Sequence, residues 1–433
     1  VQLATFDAVW DQVRTQYFDY ARIEEDWLAA REELRPQAAG TSAQELRSLL
    51  NGMLERVGES HFLVLPSTEL SADDVRSASA AAEEADATPD NSNDDSGADA
   101  EEPGLRATGV SVRLVEDALL VSQVGEANEG RIQPGWELTA IGEAQLDEPL
   151  ASVLETPEPD ARKRAALYLE FSVNSLIGYP AEPDDLSLTF EDAGGNSKTV
   201  SIDTSPEPVD VFQLGNLPDM AFEHETSIVE TAGGCIGQLS FTAWVPQLMD
   251  EFLASRDALF ACQGLVIDLR GNPGGVITTM MPLSSHLFSE ITLLGQLKRE
   301  DGRIDFRAFP RVVDDAGNRI TPYSGPVAIL VDSLTASTSE MFTAGMQALG
   351  RARVFGTTSS GMALPAQMLP LPNGDRMMYA FADYIDGKGR RIEGIGVIPD
   401  EATPLSRDIL LAGEDPTLQA AVSWLQASAD AGP

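Results

Sequence analysis

Ser337 lies in DSLTASTSEMFTAG, directly after the apolar run PVAILVD, so a strand hands the chain to a helix at this serine. A side chain at such a turn stands at the carboxyl end of a sheet, with helix amides pointing at it. Those are the surroundings of a nucleophile in acyl transfer. An alcohol is a weak nucleophile near neutral pH until a base shares its proton. The chain offers few bases: three histidines, His61, His224 and His286, and four lysines, Lys163, Lys198, Lys298 and Lys388.

A second turn, DLRGNPGG from Asp268 to Gly275, ends the apolar strand GLVIDLR and leaves the amides of Gly274 and Gly275 free. With the amide of Thr338 they could hold the oxyanion of a tetrahedral intermediate. Each motif also has a plain structural reading. RGNPGG makes a tight turn, and STSE at Ser337 to Glu340 is a capping box in which Ser337 only caps its helix. No His and acid residues pair at metal-ligand spacing, so metal-assisted hydrolysis has no support and the chemistry needs no cofactor.

The elements that must position these residues follow from pattern and composition. A chain of 433 residues, 43% of them hydrophobic, suits two or three folded domains. Its 29 basic and 69 acidic residues give a net charge of -40, which repels nucleic acid and anionic lipid surfaces. No apolar run reaches the roughly 20 residues of a membrane span. The first residues lack the regions of a signal peptide, and a start at Val1 is what removal of a leader would leave. Cys235 and Cys262 permit a disulfide and equally permit two buried thiols.

Leu3, Phe6, Trp10, Val13 and Tyr17 recur at helical spacing, Ile23 to Leu34 continues as a second helix, and the capping box SAQE at Ser42 to Glu45 opens a third. ESHFLVLP then turns into a short strand, placing Ser60 and His61 at the junction, and this helical region covers 1–69. Residues 70–103 read as a disordered acidic insertion: from Ser71 to Glu102 there are 11 acids, one Arg and no aromatic residue. A compact β-rich module is expected over 104–206, with a helix-compatible stretch from Ala151 to Leu176. Over 207–433 strands alternate with helices, which implies a mostly parallel sheet with its site beyond the strands' carboxyl ends.

GLVIDLRGNPGG followed by PVAILVDSLTASTSE resembles the signature of the C-terminal processing, or tail-specific, serine peptidases. The resemblance covers most of the chain and implies an α/β multidomain fold: a helical N-terminal region, a PDZ-like domain matching at TGVSVRLV and RIQPGWELTAIG, and a crotonase-like αβα core. It implies Ser337 as nucleophile, with Thr338 and Gly275 as oxyanion donors. The best-known members carry a lysine 25 residues after the serine, where this chain has Met362, and a thioether cannot take the proton. Gln367 is offset by one residue from the family's supporting glutamine. A second, tricorn-like branch uses serine, histidine and glutamate. GESHF supplies Ser60 and His61 and IEGIGVIPD supplies Glu393, so the resemblance makes His61 the base, oriented by Ser60 and Glu393.

The expected activity is that of a secreted or periplasmic serine endopeptidase acting on protein or peptide, with no nucleic acid partner. The resemblance also places a substrate carboxylate at Thr108, Gly109, Val110 and Ser111, where a peptide's end would add to a sheet edge. Two alternatives remain: a peptidase-like protein that has lost catalysis and binds partners, and a carrier of small apolar ligands like the interphotoreceptor retinoid-binding proteins. Lys388, in DGKGRR just before Glu393, is the one lysine that could replace the missing base.

Overall fold

The computed structural model describes residues 1–66, 105–180, 186–212, 220–231, 233–299, 301–314 and 316–430. The expected insertion at 70–103 lies outside them. The architecture is mixed α/β, with several sheets over separate cores.

Helical spacing folds the first segment into Gln2–Gln16, Tyr20–Leu34 and Ala43–Leu54, the last opened by the Ser42 and Glu45 capping box. Phe6, Val9 and Val13 meet Trp27, Leu46, Leu50 and Met53 in one buried cluster. The indole N–H groups of Trp10 and Trp27 each donate to the other's carbonyl, at 2.9 and 3.1 Å, so neither ring is buried with an unpaired donor. This layer closes on the far end of the chain. Leu63–Leu65 pairs antiparallel with Arg376–Ala380, which pairs in turn with Ala366–Pro370, and Val64 and Met377 join the helical core.

The β-rich part orders its strands Ser111–Val115, Ala118–Gln123, Glu137–Ile141, Ser187–Glu191 and Ser197–Ser201 in an antiparallel sheet. Val112, Leu119, Val121, Leu138, Leu188 and Phe190 face a core covered by Val173 and Ile177 of a helix. The single helix-compatible stretch of the sequence is in fact two helices, Asp147–Leu154 and Pro159–Gly178. Pro157 cannot continue the first, and Pro159 suits the first turn of the second, where its missing N–H costs nothing.

The last part is built on a six-stranded sheet in the order His224–Thr231, Gly234–Phe241, Gly264–Asp268, Val327–Val331, Ala352–Gly356 and Glu401–Ala402. The first pair is antiparallel and the others are parallel. Alternation sends Leu265, Ile267, Val327, Ile329 and Val331 toward Leu248, Phe252 and Phe342 on one face. Val266, Ala328 and Leu330 go to Ala421 and Leu425 of helix Pro416–Asp430 on the other. Burial on both faces explains why these strands read as unbroken apolar runs. Their parallel direction delivers the Gly-rich turn and the Ser337 turn to the same edge. A three-stranded sheet of Gly302–Ala308, Thr292–Arg299 and Asp383–Asp386 was not singled out by the sequence pattern.

Cys235 and Cys262 form a disulfide, which settles the alternative left open by composition. It closes a loop with a sequence separation of 27 around helix Gln247–Phe260. Loop closure of this size predicts that Cys262→Ser, or reduction, lowers stability by about 2–4 kcal/mol. The midpoint of chemical denaturation with and without reductant measures this, and an unmoved midpoint would contradict it.

Candidate active site

Val327–Val331 is buried throughout and hydrogen-bonded to a strand on each side, so the chain leaves the sheet for Ser337 at a fixed point. Ser337 precedes helix Thr338–Ala348 with φ 55° and ψ -120°, not the extended conformation usual for an N-cap. That backbone is strained for any residue with a Cβ. His61 shares the feature, with φ 62°. The other two positive-φ residues besides glycine, among those described, are Glu116 and Asp117, which form a tight hairpin turn that calls for such angles. Strain outside that turn therefore falls on the two residues that the sequence pairs as nucleophile and base.

The Gly-rich turn packs directly on Ser337. A Cβ on Gly274 would lie 2.6 Å from the Ser337 Cβ, and one on Gly275 would lie 2.5 Å from the Trp244 carbonyl oxygen, so neither position admits a side chain. The buried Asn272 separates the roles of the two amides. Its Oδ1 accepts the Gly274 N–H at 2.9 Å and the Ser339 hydroxyl at 2.9 Å, while its Nδ2 donates to the Phe241 carbonyl at 2.7 Å. The N–H groups of Gly275 and Thr338 have no partner among the described residues. Of the three amides expected to receive an oxyanion, two are thus available and Gly274 is committed elsewhere.

Asp332 ties the two turns together. Its carboxylate accepts the N–H of Gly271 at 2.8 Å and those of Leu334 and Thr335 at 3.1 Å, and Arg113 donates to it at 2.7 Å. Burial opposes ionisation of Asp332, but the Arg113 charge and the amide donors outweigh it and hold the carboxyl below its ordinary range.

On the opposite side, Ser60 Oγ lies 2.6 Å from His61 Nδ1. Glu393, itself buried, accepts the Ser60 N–H at 2.7 Å and the Ala363 N–H at 2.7 Å. The residue before Ala363 is Met362, whose carbonyl accepts the Ser337 N–H at 2.9 Å. Ser60, His61 and Glu393 therefore form one hydrogen-bonded group, hung through the single Met362–Ala363 peptide unit on the backbone of Ser337. No hydrogen bond joins His61 to Ser337 directly among the described residues, a separation common before substrate binds. Burial raises the Glu393 carboxyl to about 7 against the pull of its donors, and burial lowers the His61 imidazole to about 4. Outside this group, Glu59 joins Arg391 at 2.8 Å and Arg22 at 3.1 Å, which braces the Ser60 and Glu393 segments against each other.

The remaining candidates lie elsewhere. His224 is at the surface beside Glu251 at 3.1 Å, and His286 is buried against Phe252 and Phe260. Lys388 is exposed in the turn after Asp383–Asp386, where its backbone N–H donates to Asp386. Gln367 accepts from the Tyr379 hydroxyl at 2.8 Å, a structural contact within a hairpin. At the carboxylate site expected at Thr108, Gly109, Val110 and Ser111, the amides of Thr108 and Val110 are already engaged. Thr108 N–H donates to the Gly178 carbonyl and Val110 N–H to Thr108 Oγ1, while Gly109 packs tightly on Gly125. Beyond them the outer edge of Ser111–Val115 is spent too: Val112 and Leu114 donate to Asn174 and Glu170 of helix Pro159–Gly178, at 2.9 and 2.5 Å. A peptide strand finds no free ladder there. Sequence reasoning missed Asn272, Asp332 and the burial of Glu340, for which only the capping-box spacing gave a signal.

Residues 235–403 match the model of peptidase family S41. The match covers less than half of the chain. The chain is 29% identical over 139 residues to a carboxyl-terminal-processing protease of Picosynechococcus sp., covering 32% of this chain and 31% of that protein. It is 24% identical over 169 residues to carboxy-terminal processing protease CtpB of Bacillus subtilis, covering 39% and 34%. The alignments thus span about a third of these relatives. Solved structures superpose far more widely. The photosystem II D1 C-terminal processing protease does so over 99% of this chain and 97% of its own, with TM-score 0.54 and 17% identity. Mature CPAF covers 98% and 95%, with TM-score 0.60 and 13% identity. At such identities the likeness is one of fold, and it extends beyond residues 235–403 to nearly the whole chain.

The Glu393 and His61 shifts give a pH test. Glu393 rises from 4.5 to about 7 on folding, so its contribution is whole below 4.5 and is lost as pH climbs through about 7. His61 falls from 6.5 to about 4, so its contribution is whole above 6.5 and is lost as pH drops through about 4. The two oppose each other over nearly the same window. Relative to the parent, Glu393→Gln should therefore lose stability as pH falls from 6.5 toward 4, measured by urea denaturation at several pH values. Parallel curves for the two proteins would refute the assignment.

Proposed function

We propose that this protein is a serine endopeptidase that cleaves polypeptide through an acyl-enzyme, with Ser337 as nucleophile and His61 as base. The observation that carries the reading is the Glu393, Ser60 and His61 group held on the backbone of a strained serine beside two unpartnered amides. Ionised Glu393 accepts from the Ser60 hydroxyl, which frees Ser60 Oγ to accept the His61 Nδ1 proton. That tautomer leaves the lone pair on Nε2, where a base needs it. His61 then takes the Ser337 proton as Oγ attacks the scissile carbonyl, and the oxyanion settles on the N–H groups of Gly275 and Thr338. The imidazolium returns its proton to the leaving amine, and water releases the acyl group by the reverse sequence. If Glu393 is protonated it donates to Ser60 instead, the tautomer inverts, and the base is lost.

A lysine mechanism has little to support it, since Met362 occupies one position and Lys388 is exposed in a turn. A ligand carrier has no use for the Glu393 group. The PDZ-like and crotonase-like assignments, and the tricorn-like branch, remain the finer reading of the β-rich part, the six-stranded core and the Ser60, His61 and Glu393 motifs. With its outer edge closed, the β-rich part serves as a brace rather than a receptor for substrate ends. The Cys235 and Cys262 disulfide supports an oxidising compartment, hence a secreted or periplasmic protein. Among the described residues no helix is long and apolar enough to cross a membrane.

A fluorophosphonate probe should label Ser337, and Ser337→Ala should abolish casein hydrolysis while the fold survives, because an N-cap change costs only about 0.5–2 kcal/mol. His61→Ala should lower the acylation rate by at least about a thousandfold. Lys388→Met should keep most activity; an inactive Lys388→Met beside an active His61→Ala would reverse the choice of base. Because the working tautomer needs ionised Glu393, kcat/KM should rise with pH through about 7 rather than through the lowered His61 value. A limb centred near 4 would assign the profile to His61 alone.

A further inference from the structure

Glu340 is fully buried on the first turn of helix Thr338–Ala348, and its two oxygens accept five hydrogen bonds. Oε1 takes the Ser359 hydroxyl at 2.5 Å and the Gly361 N–H at 2.8 Å. Oε2 takes the Ser337 N–H at 3.2 Å, the Ser360 hydroxyl at 2.9 Å and the Met362 N–H at 2.9 Å. Burial lifts this carboxyl above its ordinary range against the pull of those donors. A helix cap needs only the first of the Oε2 contacts. The other four come from residues 359–362, a segment that belongs to neither the helix nor the sheet.

That segment continues directly into the Glu393 group. The N–H groups of Gly361 and Met362 go to Glu340, and the next one, of Ala363, goes to Glu393. The Gly361 carbonyl accepts the Gly394 N–H at 2.8 Å, and the Ser359 hydroxyl oxygen accepts the Val397 N–H at 2.6 Å. The Met362 carbonyl holds the Ser337 N–H. Three successive peptide units are thus stretched between two buried glutamates, one on the nucleophile's helix and one in the group that orients His61.

We propose that Glu340 is a positioning residue that fixes the distance between Ser337 and the Glu393, Ser60 and His61 group by gripping residues 359–362. It touches no reacting atom. The proposal rests on the serine peptidase reading, and the test separates the two. Glu340→Gln puts an amide NH2 where an oxygen accepts at least two donors, so the segment loses its grip on one side. With labelled casein, kcat per probe-titrated serine should fall about 100-fold while KM changes by less than about threefold, the signature of misplaced groups rather than weakened binding. Ser359→Ala and Ser360→Ala each remove one donor and should lower kcat about tenfold in the same pattern. They decide the matter if Glu340→Gln does not fold. Full kcat in folded Glu340→Gln, or in both serine variants if it does not fold, overturns the proposal while leaving Ser337 as nucleophile. Activity surviving in Ser337→Ala overturns the peptidase reading itself.

Discussion

A carboxylate removed from water must be met by donors, and this structure meets three of them chiefly with backbone N–H groups around one edge of a sheet. Asp332 gathers the Gly-rich turn and the approach to Ser337, Glu340 gathers Ser337 and residues 359–362, and Glu393 gathers that segment and Ser60. Of the three, only Asp332 has an arginine donating to it. Peptide N–H groups have fixed directions, so each carboxylate sets the relative position of the segments it binds. Movement of any one of these segments would leave a buried acceptor short of donors, which is costly in a way that loss of an exposed ion pair is not.

The same logic links the outer parts to the core. Arg113 reaches Asp332 from strand Ser111–Val115, and Glu170 of helix Pro159–Gly178 accepts from Leu114 with one oxygen and from the Ser333 hydroxyl at 3.1 Å with the other. The closed edge of the β-rich sheet and the Ser337 turn therefore share a residue. Burial raises the Glu170 carboxyl, while the Leu114 amide, Arg113 and Ser333 work against it. On the far side, the helical layer delivers His61 through the pairing of Leu63–Leu65 with Arg376–Ala380, reinforced by Arg47 on the buried Asp375 at 2.9 Å. No single part contains the site.

Met362 illustrates how a position can change its work. Its side chain cannot accept a proton, yet its backbone carbonyl holds Ser337 and its N–H holds Glu340. Those contacts need only the main chain, so they do not depend on the Met362 side chain. In the mechanism proposed above the base comes from a different element, and the partly buried imidazole of His61, whose pKa burial lowers, fits that role.

The helices of the first segment, the parallel strands of the six-stranded sheet and the kinds of residue at the candidate site were legible in the sequence. Helical spacing marked Gln2–Gln16, unbroken apolar runs marked the buried strands, and motif resemblance grouped Ser337, His61, Ser60 and Glu393. These features are local: periodicity follows from backbone geometry, and turn residues from allowed φ and ψ. Tertiary structure alone decided which of Gly274 and Gly275 keeps a free amide, because that depends on the side chain of Asn272. It alone decided that Asn174 and Glu170 close the edge expected to receive a peptide, and that Glu340 grips a segment some twenty residues on. Pro157 and Pro159 mark the break between helices Asp147–Leu154 and Pro159–Gly178, a local signal that the reading of one helix-compatible stretch passed over. Each of these outcomes rests on hydrogen bonds between segments distant in sequence, whose partners are chosen by how the elements pack and leave no period or spacing to read.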